Sequence, residues 1–190
     1  MLDLIKERLA VYETGPLAPA YLEQREQAAV LIPVVASREP DLLLTLRPTA
    51  MNAHGGEVAW PGGRQDPGDR TLLHTALRET EEELGIGSRH IEIVGELRPF
   101  ISKYGLLVTP FVGIVEEPVD LVPNPCEIEA VFAVPMAYLA EDPRSSTDVI
   151  ERHGERHNVP VYHFDGYKIW GLTAMILREF LNEAAGATME

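Results

Sequence analysis

The segment TLLHTALRETEEELGI, Thr71 to Ile86, restricts the chain more than any other. Apolar residues recur there at helical spacing from about residue 71 to residue 84, and Gly85 follows where a left-handed C-cap glycine belongs. At about 100° per residue, Glu79, Glu82 and Glu83 fall in one sector, and Glu81 points away from them toward solvent. Leu73, Ala76, Leu77, Thr80 and Leu84 form the adjacent apolar stripe that faces a core. Arg78 borders the carboxylate sector, where a guanidinium can orient an acid or partly neutralise it.

Like charges on one helical face repel unless a cation lies among them. A solvated acidic face is the ordinary explanation of such a run. The preceding WPGGRQDPGD argues otherwise. Gly62 and Gly63 let backbone approach closely and present N–H groups, Asp66 and Asp69 follow, and a helix N-terminus favours negative charge. Oxygen ligands of this kind suit Mg²⁺ or Mn²⁺, which bridge readily to phosphate oxygens.

These residues resemble the signature of the Nudix hydrolases: Gly, five residues, Glu, seven residues, Arg-Glu, an apolar residue, any residue, Glu-Glu, any residue, Gly, an apolar residue. Gly63, Arg78, Glu79, Glu82, Glu83, Gly85 and Ile86 match it. Asp69 stands in the place of the first glutamate, one residue further from Arg78, and Thr80 replaces an apolar residue. LLTLR, Leu43 to Arg47, with Gly56 and WPGG, looks like the extended motif of the coenzyme A pyrophosphatase branch. Trp60 stands there for a phenylalanine, Pro48 for a small residue and Asn52 for a second arginine. VTPFVGIV, NPCEIEAVFAVP and IWGLTAMIL are also similar to that branch, so the resemblance covers about residues 28–180.

The resemblance implies an α/β/α sandwich around a mixed sheet, an α/β (α+β) fold. It implies an enzyme that cleaves a diphosphate by attack of water on phosphorus, with Mg²⁺ or Mn²⁺ as cofactor. Glu79, Glu82, Glu83 and the Gly63 carbonyl become metal ligands, and Arg78 their orienting partner. Glu82 itself and Glu127 are candidates for general base, with Glu129 a poorer match. Arg47, Gly62, Gly63, Lys103 and Tyr104 are expected to contact substrate; Tyr104, Phe100 or Trp170 offers a ring for a base to stack on. For this branch the substrate is coenzyme A or its thioesters, giving 4′-phosphopantetheine and adenosine 3′,5′-bisphosphate. ADP-ribose, a dinucleotide or a nucleoside triphosphate is the alternative within the family. A non-catalytic ligand-binding domain of the same fold would be expected to lack a helix glutamate.

Composition narrows the rest. A net charge of −14 argues against a nucleic-acid face. Cys126 is the only cysteine, so no intrachain disulfide forms, and its surroundings lack the positive groups of a reactive thiol. No apolar leader or bilayer-spanning run is seen, and a small-molecule diphosphatase of the cytoplasm is expected, with no membrane partner. The 190 residues read as a single domain with helices over about 2–13 and 172–185 at its ends. A homodimer through those helices is compatible with the sequence and not demanded by it. AAVLIPVVAS and DLLLTLR read as a hairpin, as does VPVYHFDGYKIWG; EVAW reads as a short strand, and RSSTDVIERHGERHN as a polar surface stretch. His153 and His157 belong to that stretch and are read as surface residues, and His54 packs in the glycine loop or touches substrate.

Overall fold

The computed structural model describes residues 1–15, 25–49, 55–118, 120–152 and 155–187. Asn52, His54 and His153 lie outside them. The apolar run after Glu26 forms β1 (Gln27–Val35), and β7 (Leu107–Val115) lies parallel to it in unbroken register from Gln27↔Leu107 to Val35↔Val115. Every residue of β7 is buried. A parallel pair at the centre of a sheet is covered on both faces, which is why these strands lack polar alternation.

β2 (Asp41–Leu46) returns antiparallel, but the expected hairpin holds only beside its turn, at Val34↔Leu42 and Val35↔Asp41. The strands then splay, and β4 (Gly62–Arg64) enters the gap to pair with β1 at Val30↔Gly62, Ala29↔Gly63 and Ala28↔Arg64. β2 continues against β3 (Val58–Ala59) and β8 (Ala130–Pro135), while β5 (Ile91–Glu96) and β6 (Phe100–Ile101) border β7. The glycine turn is thus built into the sheet.

Alternate residues of β1 serve two cores. Ala29, Leu31 and Val35 pack with Phe111, Val115 and the helix α2 (Leu72–Leu84), through Ala76 and Leu84. Ala28, Ile32 and Val34 pack with Val112, Leu42 and Leu44 on the opposite face. There Ile5 and Leu9 of α1 (Leu2–Val11) and Ala174, Leu177 and Phe180 of α4 (Gly171–Glu183) close the core. α3 (Met136–Ala140) follows β8. This is the expected three-layered α/β arrangement around a mixed sheet. Both end helices stop about two residues short of expectation. Arg8 Nε and Nη2 donate to the Glu183 and Asn182 carbonyls at 2.7 and 2.9 Å, satisfying the end of α4.

The polar stretch after Pro143 lies at the surface but is not irregular. β9 (Arg144–Arg152), β10 (Glu155–Phe164) and β11 (Tyr167–Ile169) form a separate three-stranded sheet. Ser145 to Val149 are exposed without alternation, so no period of two marked the strand. His157 belongs to β10.

Candidate active site

α2 begins where the Thr71 hydroxyl accepts from the His74 N–H at 3.1 Å, and it ends at Gly85, whose φ is 75°. Thr80, in an apolar position of the helix, is buried and donates its hydroxyl to the Ala76 carbonyl at 2.7 Å, so the polar atom is satisfied. The splayed sheet sets Gly62 and Gly63 against the carboxylate face. The Gly62 N–H donates to Glu83 Oε2 at 3.1 Å. A Cβ on Gly63 would lie 2.5 Å from the Glu79 carboxylate carbon, so only glycine leaves that acid in place. Arg47, at the end of β2, reaches Glu83 Oε1 with Nη2 at 3.6 Å.

Arg78 is the hub. Its Nη1 lies 2.9 Å from both Glu79 Oε1 and Glu82 Oε2. Nε and Nη2 grip the two Asp69 oxygens at 3.0 and 2.9 Å, and Nη2 also donates to the Arg64 carbonyl at 3.3 Å. Asp69 further accepts from the Thr75 hydroxyl and the Asp66 N–H, both at 3.0 Å. Its hydrogen bonds with Arg78 hold its carboxyl well below the usual range. Asp69 is buried and anchors the guanidinium from beneath. Asp69 thus contacts Arg78 across the longer loop, and Thr75 is its partner that sequence reasoning missed; a threonine at a buried helical position was the available signal.

Glu83 is almost fully buried, and burial pushes its carboxyl up to about 7; Arg47 and the Gly62 N–H pull it back, while Glu79 and Glu127 push further. Glu79 is raised too, chiefly by burial. Glu127 thus lies within electrostatic reach of both acids. Its loop is tied to the helix end, with Val122 N–H donating to the Leu84 carbonyl and Asn124 N–H to the Glu83 carbonyl, each at 2.9 Å. Glu129 turns elsewhere and accepts from the Thr49 N–H at 3.2 Å.

The structure thereby gathers Arg47, Gly62, Gly63, Arg78, Glu79, Glu82, Glu83 and Glu127. Lys103 and Tyr104 stand on a separate loop. Lys103 pairs with Glu57 at 2.9 Å, and the Glu57 carbonyl accepts from the Arg47 N–H at 3.1 Å. Tyr104 is exposed, with the Lys103 ammonium 5.1 Å from its ring centroid. Phe100 is buried in the core and offers no stacking face, while Trp170 is partly exposed, donates its ring N–H to Asp148 at 3.0 Å and has the Lys168 ammonium 5.4 Å from its ring centroid. Cys126 is exposed.

Among the described residues no group of three acid, imidazole or thiol side chains is placed to hold a metal ion, and Arg78 Nη1 bridges Glu79 and Glu82. The donor set nevertheless fits a hard dication: it is all oxygen, and the Glu83 carboxylate is buried with Arg47 Nη2 3.6 Å away.

A family model described as the NUDIX domain matches residues 25–152. The chain belongs to the Nudix family. A protein from Photorhabdus laumondii named "Uncharacterized Nudix hydrolase NudL" is 37% identical over 161 residues, 85% of this chain and 86% of that one. A protein of the same name from Yersinia pestis is 39% identical over 159 residues, 84% of this chain and 80% of its own length. A MutT/nudix family protein from Enterococcus faecalis superposes with a TM-score of 0.54 at 17% identity, over 95% of this chain and 69% of that one. A C. elegans Ap4A hydrolase does so with a TM-score of 0.51 at 20% identity, over 60% of this chain and 83% of that one. These two structural likenesses concern the fold. The chain is a Nudix hydrolase, and enzymes of this family generally use divalent metal ions on small molecules. No helix among the described residues is long and apolar enough to cross a membrane.

The Glu83 environment predicts how metal-free stability depends on pH. Its folded pKa of about 7 exceeds the ordinary 4.5, so between those values the native state holds a proton that the unfolded state has lost. Stability therefore falls as pH rises through that window, by up to about 3 kcal/mol at roughly 1.4 kcal/mol per unit. Asp69 acts oppositely, but its depressed carboxyl stays ionised throughout the window. With EDTA present, Tm is expected to fall from about pH 5 to about pH 8, and Glu83→Gln is expected to flatten the slope. An unchanged slope in that variant contradicts the assignment.

Proposed function

We propose that this Nudix hydrolase is a divalent-metal-dependent diphosphatase whose preferred substrate is coenzyme A or its thioesters. The supporting observation is a helix face carrying Glu79, Glu82 and Glu83 pressed against a Cβ-free turn, with the Glu83 carboxylate buried beside Arg47. Glu79, Glu82, Glu83 and the Gly63 carbonyl would hold Mg²⁺ or Mn²⁺. A bound dication neutralises diphosphate oxygens and acidifies water. The chain's own residues do the rest. Gly62 fixes Glu83 through its N–H, and Arg78, anchored on Asp69, sets the direction of Glu79 and Glu82. Glu127 accepts the proton of the attacking water. It is the better base because Glu82 Oε2 already faces Arg78. Arg47 is loosely held at 3.6 Å and can exchange Glu83 for a substrate phosphate. Lys103 and Tyr104 would meet the nucleotide end, the first as a cation and the second as a stacking ring.

One domain spans the chain in this reading, because α1 and α4 share a core with the central strands. The exposed Leu4 and Val11 of α1 would contribute to a homodimer, in the cytoplasm. Incubation with coenzyme A, ADP-ribose, a dinucleoside polyphosphate and a nucleoside triphosphate tests the reading. Release of 4′-phosphopantetheine and adenosine 3′,5′-bisphosphate is expected with Mg²⁺ or Mn²⁺ and not with EDTA. Faster turnover of ADP-ribose than of coenzyme A would overturn the substrate, and turnover in EDTA the metal role.

A further inference from the structure

We infer that Asn124 and Gly85 are positioning residues that seat the loop of residues 121–128 on the last turn of α2 and thereby aim Glu127 at the Glu79–Glu83 pair. The inference rests on the role given to Glu127 above. A helix end leaves carbonyls without intrahelical partners. Here two of them, on Glu83 and Leu84, are taken by Asn124 and Val122 of a distant loop, so the loop takes its register from the residue that carries the buried acid. Val122 is 69% exposed, so apolar burial does not hold it there. Its N–H bond to the Leu84 carbonyl does, and only a glycine at 85 leaves room for that approach: a Cβ there would lie 2.9 Å from Val122 Cβ. The signature glycine ends the helix and also provides the seat for this loop.

Asn124 then turns the chain. Its Oδ1 accepts from the Cys126 N–H at 3.1 Å, and its carbonyl accepts from the Glu127 and Ile128 N–H groups at 3.0 and 2.8 Å. Asn followed by Pro125 suits the first two places of a tight turn, where the side chain bonds backbone two residues on and proline fixes φ. Ile128 is buried and anchors the far side. Glu127 is thus held between a turn clamped to α2 and an apolar plug, in a loop whose polar, proline-rich sequence would not otherwise fix a side chain.

Kinetics with coenzyme A and, in parallel, ADP-ribose test this, together with calorimetric titration of Mn²⁺ alone. Asn124→Ala is expected to lower kcat by roughly tenfold to a hundredfold, the cost of a catalytic group displaced by about an ångström. KM and Mn²⁺ affinity are expected to stay within about twofold, since α2 is untouched. Asn124→Asp, which keeps the acceptor, is expected to recover most of the loss. On a Glu127→Gln background Asn124→Ala is expected to change kcat by less than about twofold. Gly85→Ala follows the same pattern with a lower Tm; should it not fold, the Asn124 series stands alone. An equal loss from Asn124→Ala with and without Glu127, or a parallel loss of Mn²⁺ affinity, overturns the inference. Near-normal turnover by Glu127→Gln alone removes the role of Glu127 and the inference with it, and is read separately.

Discussion

Glu82→Gln is expected to lower turnover by roughly 10²- to 10⁴-fold while leaving the fold as stable as before. The two halves of this expectation come from the same geometry. The Glu82 side chain is 54% exposed and pairs with Arg78 at 2.9 Å across one helical turn. An exposed pair of this kind contributes about 0.5 kcal/mol or less, because solvent screens it. Arg78 keeps its buried anchor on Asp69 and its contact with Glu79, so the local structure survives the change. The lost carboxylate charge matters only where a dication and a diphosphate meet. Thermal melting beside coenzyme A turnover in Mg²⁺ measures both halves. A variant that melts normally and turns over at the parent rate would remove Glu82 from the chemistry, and one that melts much lower would show that its role is structural.

The second large effect concerns two adjacent glycines that differ in what they oppose. Gly62 has φ 151°, and a Cβ there would lie 2.3 Å from the Ala29 carbonyl oxygen and 2.6 Å from Val30 Cα. Those atoms are backbone of the central strand and cannot swing aside. Gly62→Ala is expected to cost about 3 kcal/mol or more, combining backbone strain with overpacking. At Gly63 the obstacle is the end of the Glu79 side chain, which can move. Gly63→Ala is expected to cost about 1 kcal/mol or less in stability, because an off-rotamer side chain stores little energy. Its penalty should appear as weaker Mn²⁺ binding and slower turnover, since Glu79 is the group displaced. Urea denaturation of both variants separates the cases. A Gly62→Ala protein with an unchanged midpoint would contradict the close packing of β4 on β1.

The chain's local periodicities reached the functional helix, and pairing across the fold decided the rest. The apolar stripe through Ala76, Thr80 and Leu84, the shared face of Glu79, Glu82 and Glu83, and the stop at Gly85 all follow from 3.6 residues per turn acting within one segment. The strands of the central sheet were legible because burial on both faces leaves a continuous apolar run. Sequence spacing could not say that the β1–β2 hairpin opens after two pairs to admit Gly62 and Gly63, since β2 and β4 share one edge of β1 while β7 takes its other edge and β8 draws β2 away. It was equally silent on the strand from Arg144 to Arg152, whose exposed residues carry no alternation. Tertiary packing also turned Trp60 into a core residue that donates to the Thr173 carbonyl at 3.2 Å, and Asp69 into the anchor of Arg78. A helix carries its own hydrogen bonds, so its faces can be read from order alone. A sheet and a site borrow partners from far along the chain, and only the folded molecule names them.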